Sequence, residues 1–326
     1  MSFTTVNNVS ILGISSAVPK QVSINTNSKF IETTGIYEKR IVEKDTCTSD
    51  LCLAAAEQLI ADLNIDRQEI EVVVFISQTP DYKLPVTSTI LQHKLNLTQA
   101  CICIDIPLGC SGYVYGLYVI ASLLNTVRKK GLLLVGDTIS KELNSADTST
   151  EPLFGDAGTA TLLGFDLAAN PIHFSLGSDG AGYESIIIPK GGCRHKYDTV
   201  DEHLFLNGID VFQFGINKVP KVVNKFLEVF NLSVEDFDYF VFHQANKMML
   251  DKIYKKLKIP FAKTLHSLKK FGNTSSATIP LTLVTNVNFI KKETTLLFCG
   301  FGVGLSWGVS YIKPTQDIYC CKLIET

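Results

Sequence analysis

The sequence predicts an α/β protein made of two duplicated halves, residues 1–170 and 171–326, and three recurrences carry that expectation. A helix followed by a buried strand occurs in each half. A glycine turn that opens a second helix follows in each. An apolar strand then returns a similar distance beyond each turn. In the first half, Ser49 to Leu63 has apolar residues at helical spacing, and Glu71 to Ile76 is a strand that ends in Ser77-Gln78-Thr79. Ile216 to Phe230 and Phe237 to Phe242 repeat that unit, ending in His243-Gln244-Ala245-Asn246. Next comes the strand Cys101 to Ile106, the turn Gly109-Cys110-Ser111-Gly112 and a helix from Tyr113; its counterpart is Gly272-Asn273-Thr274-Ser275-Ser276 with another helix-like run. Leu132 to Val135 pairs with Leu296 to Cys299 in this scheme, and Thr159 to Leu163 with Ser306 to Ser310, the first half carrying an insertion near Lys141 to Phe154. Strands alternating with helices form layered units, so tandem copies imply two similar sheets around shared central helices, with sites at strand ends where the halves meet.

Composition narrows the function. Of the 326 residues 46% are hydrophobic, enough for a large core, and a net charge of -2 excludes the basic footprint that nucleic-acid binding needs. Nine cysteines in a chain this long, with no CxxC pair, imply neither a disulfide scaffold nor a metal site, and fit a reduced, cytoplasmic protein. Met1 to Ser10 shows no signal-peptide pattern. Two uncharged stretches, Ile106 to Val127 and Thr294 to Ile312, carry three and four glycines respectively, which suits interior segments better than a membrane span.

Three side chains at strand-end turns can do chemistry. Cys110 stands where a strand turns into a helix, where free N–H groups and the helix dipole favour a thiolate. His243 ends an apolar strand, and Asn273 occupies the turn equivalent to that of Cys110, so internal symmetry brings the two turns together. A nucleophilic thiol with an imidazole and an amide donor is a covalent-catalysis set. The glycine-flanked Phe301-Gly302-Val303-Gly304-Leu305 adds a backbone N–H for an oxyanion.

These motifs, with Thr34-Gly35-Ile36, Arg40, Phe154-Gly155-Asp156-Ala157-Gly158 and Ser306-Trp307-Gly308, resemble the β-ketoacyl-acyl-carrier-protein synthase III family over essentially the whole chain. The resemblance implies a thiolase-like fold, a five-layer αβαβα sandwich. It implies that Cys110 accepts an acyl group from a thioester and that His243 and Asn273 hydrogen-bond the malonyl thioester carbonyl as CO2 leaves. The N–H groups of Cys110 and Val303 would form the oxyanion hole, and Phe301 would lie beside the nucleophile. The neutral Asn273, where related enzymes carry His, Cys or Glu, favours decarboxylative condensation. No metal or redox cofactor is implied; an acyl carrier protein and a small-molecule acyl thioester are the expected partners, in a homodimer that engages neither membrane nor nucleic acid.

Several positions depart from the family pattern. Lys29 and Thr33 replace the Trp and Arg of the coenzyme A clamp, and Asp147 to Glu151 lacks the second clamp Arg, so coenzyme A is a weaker candidate donor than a carrier protein. Met248 replaces the usual docking Arg, leaving Gln244, Lys247, Lys252, Lys255 and Lys256 on or beside a helix from Lys247 to Leu257 as the carrier-protein docking set. Leu84, before Pro85, replaces the Phe that lines the partner's acyl pocket and leaves room for a primer longer than acetyl. The alternatives are an acyltransferase acting on a small-molecule hydroxyl or amine, and a non-catalytic subunit of a partner synthase.

Overall fold

Two sheets with one strand plan organise the chain, a computed structural model that describes residues 2–195 and 199–326. Across the first sheet the strands Ile102–Ile106, Ile70–Ile76, Lys130–Asp137, Ala157–Phe165 and Val9–Val18 lie side by side. Across the second, Tyr239–Phe242, Leu296–Gly302, Ser306–Ile312 and Ile172–Ser178 follow the same order, with the missing edge strand reduced to one bridge between Phe240 and Thr264. Numbered within each half, both sheets read 3-2-4-5-1. Pair directions match too: Ile70–Ile76 runs parallel to Lys130–Asp137, as Tyr239–Phe242 does to Leu296–Gly302. The following pairs are antiparallel in both halves.

The inner layer consists of the helices Gly112–Val127 and Thr278–Asn286. Burial explains why Gly112–Val127 is apolar on nearly every face: Tyr113, Val114, Leu117 and Ile120 share one core with Val74 and Leu133 of the first sheet and with Phe174 and Phe298 of the second. The helix Thr48–Asp62 covers the outside of the first sheet, while Gly208–Val229 and Lys247–Leu257 cover the second. The result is the five-layer αβαβα sandwich. The two uncharged stretches are this buried helix and a strand pair; among the described residues no helix is long and apolar enough to cross a membrane.

The halves are less separable than a boundary at 170/171 implies. That boundary falls between Ala157–Phe165 and Ile172–Ser178, yet Ser2–Val6 pairs with Ile172–Ser178 in the second sheet and Ile318–Cys320 pairs with Val9–Val18 in the first. Each terminus completes the other half's sheet.

One helix begins earlier than its apolar spacing suggests. Gly208–Val229 starts eight residues before Ile216 because the Asn207 side chain caps it, accepting from the Asp210 N–H at 3.2 Å. Pro220 inside this helix has no N–H, which leaves the Ile216 carbonyl without its helical partner. Lys256 Nζ from the neighbouring helix donates to that carbonyl at 2.8 Å and repairs the gap.

Candidate active site

The strand ends of the two halves meet over a cleft of about 640 Å3, its mouth included, lined by Cys110, His243, Asn273, Phe301 and Val303. Internal symmetry thus brings together the three side chains that sequence spacing singled out. Cys110 is only 9% exposed. The backbone N–H groups of Val303 and of Cys110 itself, the two amides expected to hold an oxyanion, both favour the thiolate form of this sulfur. Gly302 makes this approach possible, because a Cβ there would sit 2.8 Å from Cys110 Sγ.

The sulfur's protonation differs from the sequence expectation. Burial, and then the negative Asp137 carboxylate, push the Cys110 thiol up to about 11, outweighing the Val303 amide and the Ser275 hydroxyl. At the start of the helix the Gly112 N–H is already taken by the Gly109 carbonyl at 2.6 Å, so that group is not left to the thiol. At neutral pH the resting group is a thiol.

Beside it stands a neutral imidazole. Burial pulls His243 down to about 3, with contact to the Ser275 carbonyl offsetting little of that. Phe301 meets its ring edge-on at 5.5 Å, and Nδ1 lies 2.8 Å from Thr278 Oγ1. That hydroxyl also donates to the Ser275 carbonyl at 3.0 Å. One hydroxyl hydrogen cannot serve both acceptors. Directed at Ser275, it makes Nδ1 the protonated nitrogen and leaves Nε2 free to take a proton; directed at Nδ1, it leaves a hydrogen on Nε2 to donate. The site can therefore present base or donor from one ring.

Asn273 is set the opposite way, by its oxygen. Oδ1 accepts the Ser275 N–H at 2.9 Å, so the amide NH2 is the part left to donate. The Asn273–Ser276 turn is tied to the first half through Asp137. This wholly buried carboxylate accepts Ser276 Oγ at 2.8 Å from one half, and the Gln78 N–H at 2.6 Å and Ser77 Oγ at 3.1 Å from the other. Sequence reading missed Asp137, Ser275, Thr278 and Gln78. A signal existed for the first: Asp137 is a polar residue ending an apolar strand, as His243 is.

Stability should report the imidazole. A histidine whose folded pKa is depressed adds stability that is full above its unfolded value near 6.5 and is lost as pH falls toward about 3. From pH 7 to pH 5 the loss is about 2 kcal/mol. Urea unfolding at the two pH values should show it, and His243→Gln should remove that part of the pH dependence.

Comparison with known proteins then fixes the family. Residues 104–180 match the profile of 3-oxoacyl-[acyl-carrier-protein (ACP)] synthase III, and residues 227–313 match that of its C-terminal part. A β-ketoacyl-[acyl-carrier-protein] synthase III of Clostridioides difficile (strain 630) is 35% identical over 322 residues, covering 94% of this chain and 98% of the relative. The chain belongs to the synthase III family. A 3-oxoacyl-(acyl-carrier protein) synthase crystal structure from Burkholderia xenovorans LB400 superposes with a TM-score of 0.93 at 34% identity, covering 100% of this chain and 99% of that one. The priming β-ketosynthase of the R1128 polyketide pathway does so at 0.87 with 26% identity, covering 95% and 98%.

In this synthase III the remaining expected residues fall in different places. Gln244 is wholly buried, its amide donating to the Phe242 carbonyl at 2.7 Å and accepting the Ser267 N–H at 3.3 Å; it braces the fold and cannot touch a docked carrier protein. Lys256 is occupied by the Ile216 carbonyl and by Asn217 Oδ1. Lys247 pairs with Asp251 at 2.6 Å, and Lys252 sits over the Phe212 ring at 4.9 Å. Lys255 is exposed and makes no ion pair among the described residues, and Met248 beside the stripe is 40% exposed. Leu84 is 83% exposed and lies outside this chain's own cleft. Lys29 and Thr33 are exposed on the short helix Ser28–Thr34, with the Thr33 hydroxyl turned back onto the Lys29 carbonyl at 2.9 Å. Glu151, in the stretch that lacks the clamp Arg, pairs with the buried Lys39. Among the described residues no cluster of side chains has a metal-binding arrangement.

Proposed function

We propose that this chain joins an acyl group, held on Cys110, to the two-carbon unit of malonyl-acyl-carrier-protein, releasing CO2 and a β-ketoacyl-carrier-protein. The observation that carries the reading is the cleft itself: one wall holds a buried sulfur whose thiolate form is favoured by the Val303 and Cys110 amides, and His243 and Asn273 line the same space, the latter with its NH2 left to donate. In the first half-reaction the Cys110 sulfur bonds to the acyl carbon, the incoming thioester C–S bond breaks, and the thiol proton passes by way of His243 Nε2 to the departing thiolate. In the second, Nε2–H and the Asn273 NH2 donate to the malonyl thioester oxygen, where charge collects as the C–C bond to CO2 breaks. The resulting carbanion attacks the acyl-Cys110 carbonyl, whose oxyanion lies between the N–H groups of Cys110 and Val303; its collapse breaks the carbon–sulfur bond, frees the β-ketoacyl-carrier-protein and returns Cys110 as a thiolate that takes up a proton from water.

No metal or redox cofactor enters this scheme. Without the clamp side chains, a carrier protein is favoured over coenzyme A as acyl donor, and the exposed lysines of Lys247–Leu257, with Lys255 making no ion pair among the described residues, favour that helix as the docking face. A homodimer in the cytoplasm is the setting that fits: all nine cysteines are unbridged, and Leu84 projects outward from the chain. Transfer to a hydroxyl or amine would need no enolate stabilisation and would leave the Asn273 donor without a task. Incubation with an acyl thioester and malonyl-acyl-carrier-protein should yield CO2 and a carrier heavier by the condensed unit. Acylated Cys110 without CO2 release would favour the acyltransferase alternative.

A further inference from the structure

Gln78 stands between two chambers. It lines the Cys110 cleft and also an outer pocket of about 1110 Å3, its open mouth included, that is lined too by Asp81, Lys83, Thr138 and Lys141. Neighbouring residues split across the same wall: Ile139 and Ile186 face the cleft, Thr138 and Ile188 the outer pocket. The backbone here is pinned. Asp137 Oδ1 accepts the Gln78 N–H at 2.6 Å, and Thr79 Oγ1 accepts the Thr138 N–H at 2.9 Å while lying 2.8 Å from Thr48 Oγ1. The Gln78 amide presses on the nucleophile turn so closely that a Cβ at Gly109 would sit 2.1 Å from its Oε1, and glycine next to Cys110 is what admits it.

This half-buried amide makes no hydrogen bond to the protein among the described residues. The same cleft is also lined by the hydrocarbon side chains of Ile139, Phe154, Ile186 and Leu204. A saturated acyl chain attached to Cys110 and pointing this way strips water from the amide and returns nothing. An oxygen on the chain restores the bond, since Oε1 can accept from a hydroxyl and the NH2 can donate to an oxo group. We propose that Gln78 is a specificity residue, and that the acyl group loaded on Cys110 is oxygenated rather than a plain saturated chain. This rests on the condensing function above and names its primer class.

Intact-mass kinetics on the full-length protein, offered butyryl, hexanoyl and 3-hydroxybutyryl thioesters, singly and in competition, test it. One recovered hydrogen bond predicts about a tenfold faster loading of 3-hydroxybutyryl than of butyryl. In Gln78→Leu that ratio should fall to about one. Equal or faster loading of butyryl or hexanoyl by the unaltered protein overturns the proposal without recourse to any variant, as does a ratio that survives Gln78→Leu and Gln78→Ala. Adducts from saturated thioesters alone leave the condensing function standing and remove only the primer class. No adduct from any thioester removes both.

Discussion

Cys110→Ala should leave no covalent acyl adduct after incubation with any thioester, and condensation should fall by at least about 10⁴-fold, as expected when the nucleophile of a covalent mechanism is removed. The same sulfur should show an unusual pH response. With a pKa of about 11, set by burial and by Asp137, its thiolate fraction near pH 7 is on the order of 10⁻⁴. Iodoacetamide alkylation of Cys110, followed by peptide mass spectrometry, should therefore rise about tenfold per pH unit from pH 7 toward 10 without levelling. A plateau near pH 8 would mean that the helix end controls the sulfur after all. The unreactive resting thiol has a functional sense: adventitious electrophiles meet SH, whereas a bound thioester arrives within reach of the imidazole that takes the proton.

The duplication was legible because both halves keep their strands apolar and their turns glycine-rich, and the 3-2-4-5-1 order of both sheets follows from it. The exchange of terminal strands was not legible, since pairing between Ser2–Val6 and Ile172–Ser178 leaves no periodic trace in either segment. Lys256 shows how a surface reading goes wrong. By spacing it belongs to a solvated stripe, but Pro220 deprives Ile216 of its helical donor and the nearest ammonium takes the place. A proline inside a helical pattern is the signal that a neighbour must supply a donor.

Within the site, residue types that carry chemistry were found, and residue types that aim them were not. Cys110, His243 and Asn273 are conspicuous because thiol, imidazole and amide at strand ends are few. Asp137, Ser275 and Thr278 look like ordinary polar turn residues until the fold places them against the first three. Asp137 was the most accessible of these: Leu132-Leu133-Leu134-Val135-Gly136 precedes it as Phe240-Val241-Phe242 precedes His243. The thiol's elevated pKa was out of reach for a related reason, because the helix-end argument counts N–H groups but not the buried carboxylate behind them.

The second large effect separates the two half-reactions. Asn273→Asp keeps the shape of the side chain and an oxygen to accept the Ser275 N–H, but replaces the donor NH2 with an acceptor facing the thioester oxygen. Malonyl decarboxylation should drop by about 10²–10³-fold, the usual cost of losing one preorganised donor to an oxyanion, and further because like charges would meet. Loading of Cys110 depends on His243 and on the two backbone amides, so the acyl adduct should still form at a rate within about an order of magnitude of the unaltered protein. His243→Ala should slow both steps, since the ring is base in one and donor in the other. Radiolabelled CO2 release and intact-mass loading, measured on the same preparations, read the steps apart. Equal losses in both for Asn273→Asp would mean that the amide serves the fold of its turn rather than the developing enolate. A selective loss ties decarboxylation to one hydrogen-bond donor, oriented by the Ser275 N–H 2.9 Å from its Oδ1.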